Sequence, residues 1–154
     1  MRSRAITIFL TCLLTAPALA EAPKPPRPPA GREVLPGPVK AEVLKVIDGD
    51  TLTVRARIWV GQNLEIHVRI TGVDTPELRA RCDRERTLAR EARETVRAAV
   101  ASGQVRLFDV QYGKYAGRVV ARVETEDGRD IAKMLIDAGL GRAYGGGKRA
   151  GWCG

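Results

Sequence analysis

Residues 64–73 read Leu-Glu-Ile-His-Val-Arg-Ile-Thr-Gly-Val, so Ile66, Val68 and Ile70 alternate with His67, Arg69 and Thr71. Period-two alternation commits one face of a strand to a core and leaves the other for water or a ligand. Two more β-rich stretches precede it. Val39 to Ile47 and Thr51 to Ile58 flank Asp48-Gly49-Asp50, a turn sequence that predicts a hairpin. The third stretch, Leu64 to Val73, follows the turn residues Gly61-Gln62-Asn63. A sheet of short, one-face-buried strands is therefore the frame into which the rest must fit.

The pattern then changes period. Leu88, Ala92, Val96 and Val100 recur at i+4 along one helical face, with Asp83 as the expected N-cap and Gly103 as the stop. Val105 to Val110 and Arg118 to Val123 return to strand patterning. Asp130 begins a short helix through Ile131, Met134, Leu135 and Ala138 that Gly139 ends. Five strands with a helix after the third and another after the fifth predict an α+β, mainly β fold: a five-stranded Greek-key barrel of the OB type with about two helices.

The chain ends carry different information. Arg2 and Arg4, an apolar run from Ala5 to Leu14, and small residues at Ala18 and Ala20 match a secretory signal over residues 1–20. The run is too short to span a bilayer, which takes about 20 apolar residues. Cleavage predicts an exported product, periplasmic or secreted, with no stable membrane association. Residues 21–38 hold a proline-rich stretch, read as an extended linker, and residues 39–154 form one domain of about 115 residues, enough for a modest core. Cys12 leaves with the signal. In an oxidising compartment the remaining pair, Cys82 and Cys153, reads as a disulfide closing a loop of about 70 residues, worth about 4 kcal/mol in the chain-entropy model. The rival, a zinc site, lacks ligand spacing with only the distant His67 to help. The formal charge is +8, or +6 without Arg2 and Arg4, which favours an anionic partner. Aromatics make up only 5% of the residues, too few for a large base-stacking platform.

Four short segments need a joint explanation: Asp48-Gly49-Asp50-Thr51, Arg69, Val73-Asp74-Thr75-Pro76-Glu77 and Lys114-Tyr115-Ala116-Gly117-Arg118. Singly, each has an ordinary structural reading as a turn, a helix start or a solvated face. Together they hold what phosphodiester hydrolysis requires. Carboxylates and a backbone carbonyl suit a hard divalent cation. Paired guanidiniums can hold the charge that develops on phosphate oxygens, and a further carboxylate can orient or deprotonate water.

In their order, the strings Val-Ile-Asp-Gly-Asp-Thr, Val-Arg-Ile-Thr-Gly-Val-Asp-Thr-Pro-Glu and Lys-Tyr-Ala-Gly-Arg resemble the staphylococcal nuclease (thermonuclease) family, from about Ala41 to Tyr144. The resemblance implies an OB-fold nuclease that uses Ca2+ to cut DNA and RNA with little sequence preference and leaves 3′-phosphate ends. It assigns Asp50 and Asp74 as Ca2+ carboxylates and Thr75 as a main-chain ligand. Glu77 would orient or deprotonate water, Arg69 and Arg118 would grip the phosphate, and Tyr115 with Lys114 would touch the nucleotide. Asp48 would lie close to the ion without a ligand role, and His67 receives none. The segment Lys114–Arg118 is one residue longer than the family's, and the chain stops soon after Tyr144, without the family's long last helix. A bridge from Cys82 to Cys153 would pin the shorter tail near the first helix. The expected product is a monomeric enzyme; the alternative is a non-catalytic nucleic-acid-binding module on the same barrel.

Overall fold

The computed structural model describes residues 33–153; the expected signal and most of the proline-rich stretch lie outside the described residues. β1 (Val34–Leu35) pairs with β6 (Gln104–Tyr112), so the last part of the proline-rich stretch joins the sheet instead of remaining a linker. β2 (Val39–Val46), β3 (Thr51–Trp59) and β4 (Gln62–Ile70) form a continuous antiparallel meander. β4 pairs in parallel with β7 (Arg118–Thr125), which returns antiparallel to β6, and β6 pairs with β2. β2, β3, β4, β7 and β6 thus close on themselves as the expected five-stranded barrel. Closure removes open edges from these strands.

Two elements complete the fold. α1 (Asp83–Ala99) packs Ala89, Ala92 and Val96 inward, while α2 (Ile131–Asp137) contributes Ile131 and Leu135. Asp130 caps α2 by accepting the Lys133 N–H at 3.0 Å, as its position predicts. The N-cap of α1 is Cys82 rather than Asp83, and its side chain makes no capping hydrogen bond. Asp83 instead sits in the first turn and pairs with Arg86. A two-stranded ribbon, β5 (Gly72–Asp74) with β8 (Arg142–Tyr144), was not apparent from the sequence.

Ile70, Val68, Leu52, Val54, Leu107, Val123 and Leu135 are completely or almost completely buried. Each such side chain contributes about 1.5–3 kcal/mol by leaving water. The alternation read at Ile66, Val68 and Ile70 is thus what turns His67 and Arg69 outward: Val68 and Ile70 are core, Arg69 is half-buried and His67 exposed. No described helix is long and apolar enough to cross a membrane.

Candidate active site

The barrel brings the acidic turn between β2 and β3 against the end of β4. The Ile70 N–H donates to the Asp50 carbonyl at 2.8 Å, and Thr51 is directly opposite Arg69 in the β3–β4 register. Gly49 makes the close approach possible. A Cβ at that position would stand 2.9 Å from the Ala92 Cβ and 3.0 Å from two Thr75 side-chain atoms, so a side chain there would push the turn off α1 and the loop after β5.

Asp50 is buried and fully engaged. Its Oδ1 accepts from the Thr51 hydroxyl at 3.0 Å and from Arg69 Nη1 at 2.5 Å, and its Oδ2 accepts from the Thr75 N–H at 3.2 Å. Asp74, at the end of β5, is also buried; Arg69 Nη2 lies 3.5 Å from its Oδ1. Glu77 follows on the loop towards α1, half-exposed, with its backbone N–H held by the Glu85 carboxylate at 3.2 Å. That bond explains why Glu85, a charged residue, is buried on the inner face of α1.

The remaining basic and aromatic residues of the inventory are brought to the same place. Arg118 opens β7 beside β4, in register with His67, and its guanidinium lies 5.0 Å from the Tyr115 ring centre. In the turn between β6 and β7, Gly117 adopts φ +75°. Arg69, Glu77, Lys114, Tyr115 and Arg118 line one cleft of about 740 Å³ together with Asp48, Tyr144 and Arg149. His67 points its Nδ1 to the Thr53 hydroxyl at 3.1 Å and does not line this cleft.

Asp48 titrates unusually. Burial first, then the negative charge of Asp50, raises its carboxyl to about 6. It also accepts the Asp50 N–H at 3.1 Å, fixing the turn.

Sequence reasoning missed Arg149. Its Nε lies 2.5 Å from Asp74 Oδ1 and its Nη2 3.7 Å from Asp50 Oδ2, and its Nη1 bonds to Glu77. A single guanidinium therefore touches all three acids. Burial opposes its charge, but the Glu77 hydrogen bond and the charges of Asp74, Glu77 and Asp50 outweigh that and raise its pKa. The signal that could have found it is the pair Cys82 and Cys153, which the structure joins with Cα atoms 5.8 Å apart. Cys82 is five residues past Glu77 and Arg149 four before Cys153, so the bridge carries a cation to the acids. Glu85 lies near both sulfurs, but two thiols consumed by their mutual bond leave no thiolate for a metal.

The acids and arginines also show what they lack. Arg118 Nε is buried without a hydrogen-bond partner, and Arg69 Nη2 has only the 3.5 Å contact to Asp74 Oδ1, an oxygen that Arg149 Nε already neutralises. Buried polar atoms are nearly always satisfied, and such donors beside a cleft suit a ligand; Arg93 Nε and Arg106 Nε are in the same condition away from it. A carboxylate oxygen fits a cation, and the two guanidinium nitrogens fit anionic oxygen. Asp50 and Asp74 are oxygen donors of the type that hard divalent ions take.

Comparison with known proteins agrees with this arrangement. The profile of the family described as "Staphylococcal nuclease homologue" matches residues 67–150. A relative from Phaeosphaeria nodorum named "Probable endonuclease LCL3" is 31% identical over 88 residues, covering 55% of this chain. The match spans 29% of that relative's length.

Proposed function

We propose that this chain, which belongs to the staphylococcal nuclease family, is a phosphodiesterase that hydrolyses DNA and RNA with little sequence preference, and, from the signal-like residues 1–20, that it is exported. The observation that carries this reading is the convergence of Asp50, Asp74 and Glu77 on the Arg149 guanidinium, which lines a cleft together with Glu77, Arg69 and Arg118. Mere binding of a polyanion needs basic groups but no buried carboxylate cluster.

Asp50, Asp74 and the Thr75 carbonyl would hold Ca2+, which supplies positive charge to a phosphate oxygen and polarises the phosphorus. Arg69 and Arg118 bind the other phosphate oxygens and take up the charge that grows as water adds to phosphorus. Arg118 Nε, without a partner, and Arg69 Nη2, held only by a 3.5 Å contact to Asp74, are donors available for this. Glu77, the most solvent-accessible of the three acids, orients the attacking water and accepts its proton. The new bond joins the water oxygen to phosphorus; the bond to the 5′-oxygen breaks and that oxygen takes a proton, leaving a 3′-phosphate. Tyr115 and Lys114, both exposed at the rim, contact the nucleotide. The Cys82–Cys153 bond supports folding in an oxidising compartment.

The test is digestion of plasmid and single-stranded DNA by the purified chain. Cleavage should appear with Ca2+ and stop with EGTA. Glu77→Gln and Arg69→Ala should each lower kcat by about 10²–10⁴, with circular dichroism unchanged. Retained DNA binding without cleavage would support the non-catalytic module instead. Cleavage indifferent to both substitutions would overturn the roles of Glu77 and Arg69.

A further inference from the structure

The segment after β8 reaches the site through a second residue. Trp152 is buried although Gly151 and Cys153 on either side are exposed. Its indole Nε1–H donates to Asp74 Oδ2 at 3.4 Å. Three contacts keep it there. The Arg142 guanidinium stacks 3.8 Å from its ring centre, Arg142 Nη1 donates to the Gly151 carbonyl at 2.9 Å, and Cys153 is bonded to Cys82 at the start of α1. Arg142 is itself opposite Asp74 in the β5–β8 ribbon, so one short ribbon sets both ends of the indole contact.

The consequence is a division of labour between the two oxygens of Asp74. Oδ2 faces the indole, whereas Oδ1 faces Arg69 and Arg149. Indole is a donor only, so it cannot compete for a cation. It can fix the carboxylate rotamer and present Oδ1 alone. Partners that orient a ligating side chain commonly change metal affinity by about 10–100-fold.

We propose that Trp152 is a positioning residue for Asp74, and that the Cys82–Cys153 bond serves the site by holding the indole in place. The proposal rests on Asp74 being a cation ligand. Phenylalanine keeps the ring on which Arg142 stacks and removes the N–H, so Trp152→Phe isolates the hydrogen bond. At 3.4 Å the bond is long, which places the effect at the lower end, about tenfold.

The test measures binding of Ca2+ alone by titration calorimetry. The wild-type chain should bind it, and Trp152→Phe and the double variant Cys82→Ser/Cys153→Ser should each bind about tenfold more weakly. A second readout avoids any ambiguity from misfolding. The chain has two tryptophans, and Trp59 is exposed, at the tip of the β3–β4 hairpin and outside the cleft. In a Trp59→Phe chain, Trp152 is the sole indole, and its emission should shift with Ca2+ at the calorimetric Kd. Asp74→Asn should abolish that shift. Equal Kd values for wild type and Trp152→Phe, or emission from Trp152 that ignores Ca2+ while calorimetry detects binding, would overturn the positioning role and leave Asp74 a ligand. No Ca2+ binding by the wild-type chain would overturn the reading beneath the proposal and the proposal with it.

Discussion

Replacing Arg149 with methionine should tighten Ca2+ binding. The guanidinium now neutralises Asp50, Asp74 and Glu77 together, and any ion that takes those oxygens must first displace it. Two unit charges 4 Å apart attract by about 4 kcal/mol at an effective dielectric constant of 20. The Arg149 side chain is 38% exposed, so water screens its pairs and competes for its donors. Exposed pairs yield about 0–1 kcal/mol each, which for three acids gives about 1–2 kcal/mol in all. At 1.4 kcal/mol per decade this is about a tenfold lower Kd. The same substitution leaves Asp50 and Asp74 to Arg69 and takes from Glu77 the guanidinium it pairs with, so in EGTA the variant should melt below wild type. Titration calorimetry and thermal melts with and without Ca2+ check both signs. An unchanged or weaker Kd with an unchanged melt would refute the reasoning, because it would mean that Arg149 neither occupies the ion's place nor balances its ligands.

The remaining predictions follow from single contacts. Asp48, pushed up to about 6 by burial and by Asp50, binds its proton more tightly folded than unfolded. Its contribution to metal-free stability is therefore fully present below about pH 4 and is lost as the pH rises through 6. After allowance for screening the loss is about 1–2 kcal/mol, and denaturant melts of Asp48→Asn should lack this decline. Gly49→Ala places a methyl 2.9 Å from the Ala92 Cβ and should cost about 1–3 kcal/mol, with weaker Ca2+ binding because the Asp50 turn moves; urea unfolding and calorimetry read the two. Leu52→Ala, at a fully buried barrel position, should cost about 2–5 kcal/mol in urea.

Much of the barrel was legible because its signals are local. Alternation at Ile66, Val68 and Ile70 needs no knowledge of what the strand touches, and Asp130 caps α2 through a contact three residues away. The first helix shows the limit. Leu88 was expected on its inner face, yet it is only half-buried, while Ala89 and Glu85 go inward. Glu85 is inside because it accepts the Glu77 N–H, a partner on a preceding loop that helical periodicity does not register. β1, β5 and β8 have two or three residues each, too few to show a period. The site divides in the same way. Asp50, Arg69, Asp74, Glu77 and Arg118 stand in strings whose order marks them, and the fold gathers them. Arg149 and Trp152 belong to a glycine-rich tail without periodicity. Contacts from Arg142 and a covalent bond across 71 residues bring them to the acids, so nothing local in their sequence reveals their place.

The claim on which the account depends is spatial, and a crystal structure of the chain grown with Ca2+ tests it most directly. The account predicts one ion bound by Asp50, Asp74 and the Thr75 carbonyl, Arg149 moved off those oxygens, and Arg69 and Arg118 turned to the ion's open side. An ion bound elsewhere, or guanidiniums of Arg69 and Arg118 directed away from it, would contradict it.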